Sequence, residues 1–235
     1  MPLAPRPSVS CIMPAFNEEA TIGVAVANVR QALQDLTGDF EIIVVDDGST
    51  DRTLARLDAL AATSELRVVH LAENRGYGWA LRTGFAAASR SLLFFTDSDD
   101  QFDAMDLSRL LAVIDSADIV IGHREARHDG PLRAALSSGY NALVRKLLGV
   151  RVRDVNCAFK LVRREVLVAM NLVSAGYGIN AEMMARAARA RLRVREVPVT
   201  HRPRRAGRSK VSIADVPSSL LDLLWLRRAL RTPPA

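Results

Sequence analysis

Short apolar runs rich in β-branched and aromatic residues alternate with longer amphipathic runs, and that alternation restricts the chain to a sheet built from βαβ units. Residues 9–13, 40–45, 66–71, 91–96 and 118–122 read as strands; 18–33, 51–62, 78–89 and 107–115 read as the helices between and after them. Helix 18–33 places Ile22, Val26, Val29 and Leu33 on one side. Run 40–45 is apolar throughout, as expected of a parallel strand covered on both faces. In the second half, 158–162 and 192–200 read as strands and 132–148, 164–170 and 179–190 as helices. Residues 202–210 form a basic loop with Pro203 and Gly207, and 216–231 a terminal helix with Asp215 as its cap. No repeat interrupts this order. One α/β domain over residues 8–211 is expected, followed by an amphipathic helix within 212–231.

Composition narrows the function classes. The chain has 235 residues, 49% hydrophobic and 25% charged, enough for one well-filled core. Cys11 and Cys157 are its two cysteines, which excludes a disulfide scaffold and a four-cysteine zinc site. The net charge of +6 invites a nucleic-acid reading. That charge is local, however. Residues 186–210 carry nine arginines and one lysine against Glu196 alone, leaving the rest of the chain at −3. Stacking on bases needs exposed aromatics, and none lies between Pro198 and Trp225. A basic-patch nucleic-acid binder is therefore rejected. The first ten residues hold three prolines and no apolar core of a signal peptide. No stretch approaches the roughly 20 apolar residues of a membrane span. The expected location is cytoplasmic or at a membrane surface.

Carboxylates gather where strands end. Pro14, Asn17 and Glu18 follow the first strand, Asp46 and Asp47 the second, Asp97 and Asp99 the fourth. In open α/β sheets ligands bind beyond these carboxyl ends. The first strand-to-helix turn reads Pro14-Ala15-Phe16-Asn17-Glu18-Glu19, without the glycines of a dinucleotide-binding turn, and its acids would repel a pyrophosphate. No phosphate-binding loop of the G-x-x-x-x-G-K-[ST] kind is present. Asp97-x-Asp99 offers hard oxygen ligands of the kind Mg²⁺ and Mn²⁺ prefer, with a substrate diphosphate to complete the shell.

With these residues assembled, the chain resembles the family 2 glycosyltransferases with the GT-A fold, and within them the dolichyl-phosphate mannose synthase and bacterial polyprenyl-phosphate branch. Six stretches carry the likeness in family order: CIMPAFNEEATIG at 11–23, VVDDGSTDRT at 44–53, ENRGYGWALRTGF at 73–85, FTDSDDQFD at 95–103, DVNCAFKLVRREV at 154–166 and EVPVTHRPRRAGRSK at 196–210. Phe102-Asp103 stands where the family often has two prolines, and Ala158 where it often has glycine.

The resemblance implies a single, mostly parallel sheet flanked by helices. It also implies inverting, metal-dependent transfer of a hexose from a GDP- or UDP-linked sugar to a polyprenyl or dolichyl phosphate. A non-lipid acceptor, such as a polysaccharide or natural-product precursor, is the alternative. Pro14, Asn17, Glu18, Asp46 and Asp47 would hold base and ribose; Asp97 and Asp99 would bind Mg²⁺ or Mn²⁺, with Gln101 beside them. Asp154 would lie between donor and acceptor as base or orienter. Arg124 would meet a phosphate, and Glu182 a sugar hydroxyl. Arg202, Arg208 and Lys210 would clamp the acceptor phosphate. Asn156 and Lys160 carry less weight, and Lys160 reads equally as a solvated strand residue. The terminal helix, with its leucines, Trp225 and arginines, suits a membrane surface, packing on the sheet, or a homodimer.

Overall fold

The computed structural model describes residues 6–62, 65–125, 131–203 and 216–229. Its centre is one seven-stranded sheet, with strands in the order β3-β2-β1-β4-β6-β5-β7. β1 (Ser8–Ala15), β2 (Asp39–Asp46), β3 (Leu66–His70) and β4 (Leu92–Thr96) run parallel, and β5 (Ile119–Arg124) and β7 (Val194–Val199) pair in parallel with each other. β6 (Phe159–Arg163) lies antiparallel between β4 and β5. The sheet is mixed and mostly parallel, as expected.

The intervening helices are α1 (Ile22–Leu36), α2 (Thr53–Ala61), α3 (Tyr77–Ala87), α4 (Leu107–Leu111), α5 (Pro131–Leu148), α6 (Arg164–Met170) and α7 (Gly178–Arg189). They cover the sheet so that every residue of β4 is buried. The last helix, α8 (Val216–Ala229), packs against α5 and α7. It buries Leu223 and Leu226 and leaves Leu224 and Trp225 about half exposed, at 49% and 53%. Among the described residues no helix is long and apolar enough to cross a membrane.

Two elements depart from the periodicity. α1 begins at Ile22, four residues later than expected. Asn17 adopts a left-handed backbone, φ 52°. The following amides bond to side chains at the entry to α2, Glu18 N–H to Thr53 Oγ1 (2.8 Å) and Glu19 N–H to Asp51 Oδ2 (3.2 Å). Bonding to the start of α2 thus competes with helix nucleation at this turn. The expected helix over 107–115 is α4 alone, with 3₁₀ turns at Ala104–Asp106 and Ile114–Ser116 on either side.

Candidate active site

The parallel order places the ends of β2, β1 and β4 side by side, and their loops are stitched together. Asn17 N–H donates to Ser49 Oγ (2.9 Å), and Asn17 Oδ1 accepts from Thr50 N–H (2.8 Å). Ser98 Oγ–H donates to the Pro14 carbonyl (2.8 Å), which ties the aspartate loop to the end of β1. Glu18 Oε2 accepts from Thr21 Oγ1–H (2.9 Å). Asp46 is fully buried, its Oδ2 2.8 Å from His70 Nδ1 and its Oδ1 accepting from Ser49 N–H. Asp47 Oδ1 and Oδ2 accept from the N–H groups of Arg75 and Gly76 (2.8 and 2.9 Å), holding the approach to α3. Gly76 is needed there, because φ is +98° and a Cβ would lie 2.9 Å from the Ala175 carbonyl oxygen.

Asp97 and Asp99 follow the buried end of β4. Burial, then the charge of Asp99, pushes the Asp97 carboxyl well above its usual range. Two crowded carboxylates are suited to a divalent cation, and their oxygens are the ligand type Mg²⁺ and Mn²⁺ take. Among the described residues no group of three or more acids, histidines or cysteines could hold a metal. Asp100 follows in a left-handed backbone, φ 56°.

Gln101 and Arg202 are joined. Gln101 Nε2–H donates to the Arg202 carbonyl (3.0 Å), and Arg202 N–H to the Gln101 carbonyl (2.6 Å). The Arg202 guanidinium pairs with Asp103 (2.5 Å). The loop after β4 is thereby anchored to the stretch that follows β7. Arg208 and Lys210 lie outside the described residues.

A second cluster forms beyond β5. Arg124 donates through Nε to Asp154 Oδ2 (2.7 Å) and through Nη2 to Asp154 Oδ1 (3.0 Å), with both side chains largely buried. They line a cavity of ≈ 290 Å³ with His123, Ser138, Asn141, Arg145 and Arg153. His123 Nδ1 is buried, with no hydrogen-bond partner among the described residues. Three arginines and a histidine against one aspartate make this cavity suited to an anion.

Two expectations are corrected. Glu182 does not face a ligand: it is fully buried, accepting from Val173 N–H, Ser174 N–H (2.8 Å) and Arg186 Nε–H (2.8 Å), so it secures the 173–174 loop on α7. Lys160 is not solvated; it is fully buried. A lysine inside the run Phe159-Lys160-Leu161-Val162 was the sequence signal, since a sheet interior admits a charge only with partners. His123, Arg145 and Arg153 were missed because helix α5 and the loop after it meet β5 only in the fold. Cys11 and Cys157 are buried, and burial raises both thiols, Cys157 to about 12, which leaves no nucleophile.

Known proteins share this architecture. The chain is 31% identical over 221 residues to the dodecaprenyl-phosphate galacturonate synthase of Rhizobium johnstonii, covering 92% of this chain and 65% of that one. It is 30% identical to the undecaprenyl-phosphate 4-deoxy-4-formamido-L-arabinose transferase of Yersinia enterocolitica, covering 92% and 66%. The chain thus spans slightly less than two thirds of these relatives. Among solved structures, glucosyl-3-phosphoglycerate synthase from Mycobacterium tuberculosis with phosphoglyceric acid superposes with a TM-score of 0.72 at 25% identity, covering 97% of this chain and 82% of that one. The same enzyme with Mn²⁺ and UDP-glucose gives 0.72 at 24%, covering 97% and 81%. The fold is GT-A-like. The sequence profile described as Glycosyl transferase family 2 matches residues 10–169, from β1 through most of α6, and the chain belongs to that family.

Proposed function

We propose that this chain is a metal-using glycosyltransferase that moves a sugar from a nucleotide-diphosphate donor to an acceptor bearing a phosphate. The observation that carries the reading is a pair of opposite charge poles: the Asp97/Asp99 carboxylates after β4, and the His123, Arg124, Arg145 and Arg153 cavity beside Asp154.

On the donor side, Asn17, Asp46 and Asp47 fix the loops after β1 and β2 that would frame the nucleotide. Pro14 and Glu18 lie in the same turn. Asp97 and Asp99 would hold Mg²⁺ or Mn²⁺, which when bound neutralises charge on the leaving diphosphate. The M. tuberculosis enzyme binds Mn²⁺ with UDP-glucose, which supports this choice. On the acceptor side, the arginines would bind phosphate oxygens. A phosphate monoester is largely ionised near pH 7, so the step asks for alignment more than for a base. Asp154, held at both oxygens by Arg124, serves as orienter. Gln101 and Arg202 are joined beside this site, and Arg208 and Lys210, outside the described residues, would bind the phosphate.

Two sources of that phosphate fit. The polyprenyl phosphate expected from the sequence has the support of the relatives, and of exposed Leu224 and Trp225 beside Arg227 and Arg228 on α8, a surface suited to lipid headgroups. A small phosphorylated acceptor has the support of the solved structure with phosphoglyceric acid. The test is nucleotide release from UDP- and GDP-sugars with Mn²⁺, in parallel arms with undecaprenyl phosphate, 3-phosphoglycerate and the same compounds without phosphate. Release is expected only in a phosphate arm. Release with no arm, or equally without the phosphate, overturns the proposal.

A further inference from the structure

Lys160 has no part in the scheme above, yet it occupies a position between the two poles. In β6 it pairs with Phe95 of β4 and Ile121 of β5. Its Nζ lies 5.3 Å from the centroid of the Phe95 ring. It donates to the Cys157 carbonyl (2.5 Å) and to Asn180 Oδ1 on α7 (2.6 Å). Cys157 closes the turn begun by Asp154, its N–H donating to the Asp154 carbonyl (3.2 Å). The partner strand of Lys160, β4, carries Phe95 opposite it and runs on through Thr96 to Asp97. Next to Asn180's helix, the Tyr77 ring of α3 stacks on Tyr177 at 5.2 Å.

We propose that Lys160 is a positioning residue for sugar transfer: its ammonium joins the Asp154 turn, on the acceptor side, to Asn180 on α7, beside the end of β4 that carries Asp97 on the donor side. The chemistry suits the task. A buried ammonium is costly unless its protons are bonded, so a lysine here selects the one arrangement of turn and helix that supplies both acceptors. Methionine would fill the same space without that demand. Burial draws the ammonium down to about 8, opposed by the carboxylates of Asp154 and Asp97, so it remains protonated at neutral pH. Misplacing one reacting group by about 1 Å can cost about 10²-fold in rate; loss of the link should act on alignment rather than on donor affinity.

This inference rests on transfer to a phosphate acceptor, and its test separates the two. Lys160→Met and Asn180→Ala are compared with wild type in the phosphate arm that wild type turns over. The expected result is a kcat per folded protein lower by about 10²-fold for Lys160→Met and about 10-fold for Asn180→Ala. The KM for donor, and the Kd for UDP or GDP with Mn²⁺, should stay within about threefold. Asn180→Ala decides the case if Lys160→Met does not fold, because Lys160 keeps its Cys157 bond. Wild type that transfers to neither acceptor overturns the function and not the link. The link is then read from amide resonances of Asn180→Ala, which should shift at both Cys157 and Asp97. Rates unchanged within about twofold, donor affinity falling in step with kcat, or shifts confined to one side overturn the role of Lys160.

Discussion

Arg124 and Asp154 meet in a two-point contact, Nε to Oδ2 at 2.7 Å and Nη2 to Oδ1 at 3.0 Å, although 30 residues separate them. The pair ties the end of β5 to the turn before β6 and fixes one wall of the basic cavity. Both groups are removed from water, the arginine side chain 13% and the aspartate 4% exposed.

Asp154→Ala should therefore be costly in two ways. It leaves the Arg124 guanidinium without the carboxylate that faces it, a loss of about 3–5 kcal/mol for a buried pair. Urea unfolding reads this directly. Asp154→Asn, which retains volume and one acceptor oxygen, should lose less stability while still lowering transfer by about 10-fold or more.

Asp99→Ala should separate metal use from folding. It removes one of two carboxylates while relieving the like charge that raises Asp97. Mn²⁺-dependent turnover should fall by more than about 10²-fold, the scale of losing a main electrostatic contributor. Thermal unfolding of the metal-free protein should be unchanged or move upward. A lowered midpoint with retained turnover would remove the metal assignment.

The Lys160 ammonium sets a pH signature. Its ordinary value of 10.5 is drawn down to about 8 by burial. Between these values the unfolded chain holds the proton more tightly than the folded chain, so stability gains from this residue as pH rises through that window. The full shift corresponds to about 3 kcal/mol, present above 10.5 and lost as pH falls through 8. Lys160→Met should lack this contribution. The difference between variant and wild-type unfolding free energies, measured from pH 7 to 10.5, should narrow in favour of wild type as pH rises.

The α8 surface can be tested apart from chemistry. Replacing Leu224 and Trp225 together by Asp changes two half-exposed side chains and leaves the buried Leu223 and Leu226 in place. Sedimentation with anionic phospholipid vesicles should fall by at least about tenfold, since binding at an interface scales with buried apolar area. Equal sedimentation would remove the membrane contact.

Most strands were legible because their apolar runs are short and bounded by Pro, Gly and Asp, and because a parallel sheet buries both faces. The acids at 46, 47, 97 and 99 were legible for a related reason: a polar cluster directly after a buried strand can only lie at the sheet's carboxyl edge. The helix after β1 starts later than its periodicity predicts, because periodicity does not reveal that Thr53 and Asp51 take the amides of Glu18 and Glu19. Glu182 shows a similar limit. Its spacing on α7 gives no sign of the Val173 and Ser174 amides that consume its oxygens. The basic cavity draws Arg124, Arg145 and Arg153 from a strand, a helix and a loop, a convergence that exists only after folding.

The most direct measurement is the rate of UDP or GDP release from sugar nucleotides by the full chain with Mn²⁺, with and without undecaprenyl phosphate or 3-phosphoglycerate. The account predicts release that requires both the metal and a phosphate acceptor, and that falls when Arg124 or Asp99 is replaced by alanine. Release that proceeds equally without metal, or equally with acceptors lacking phosphate, would contradict it.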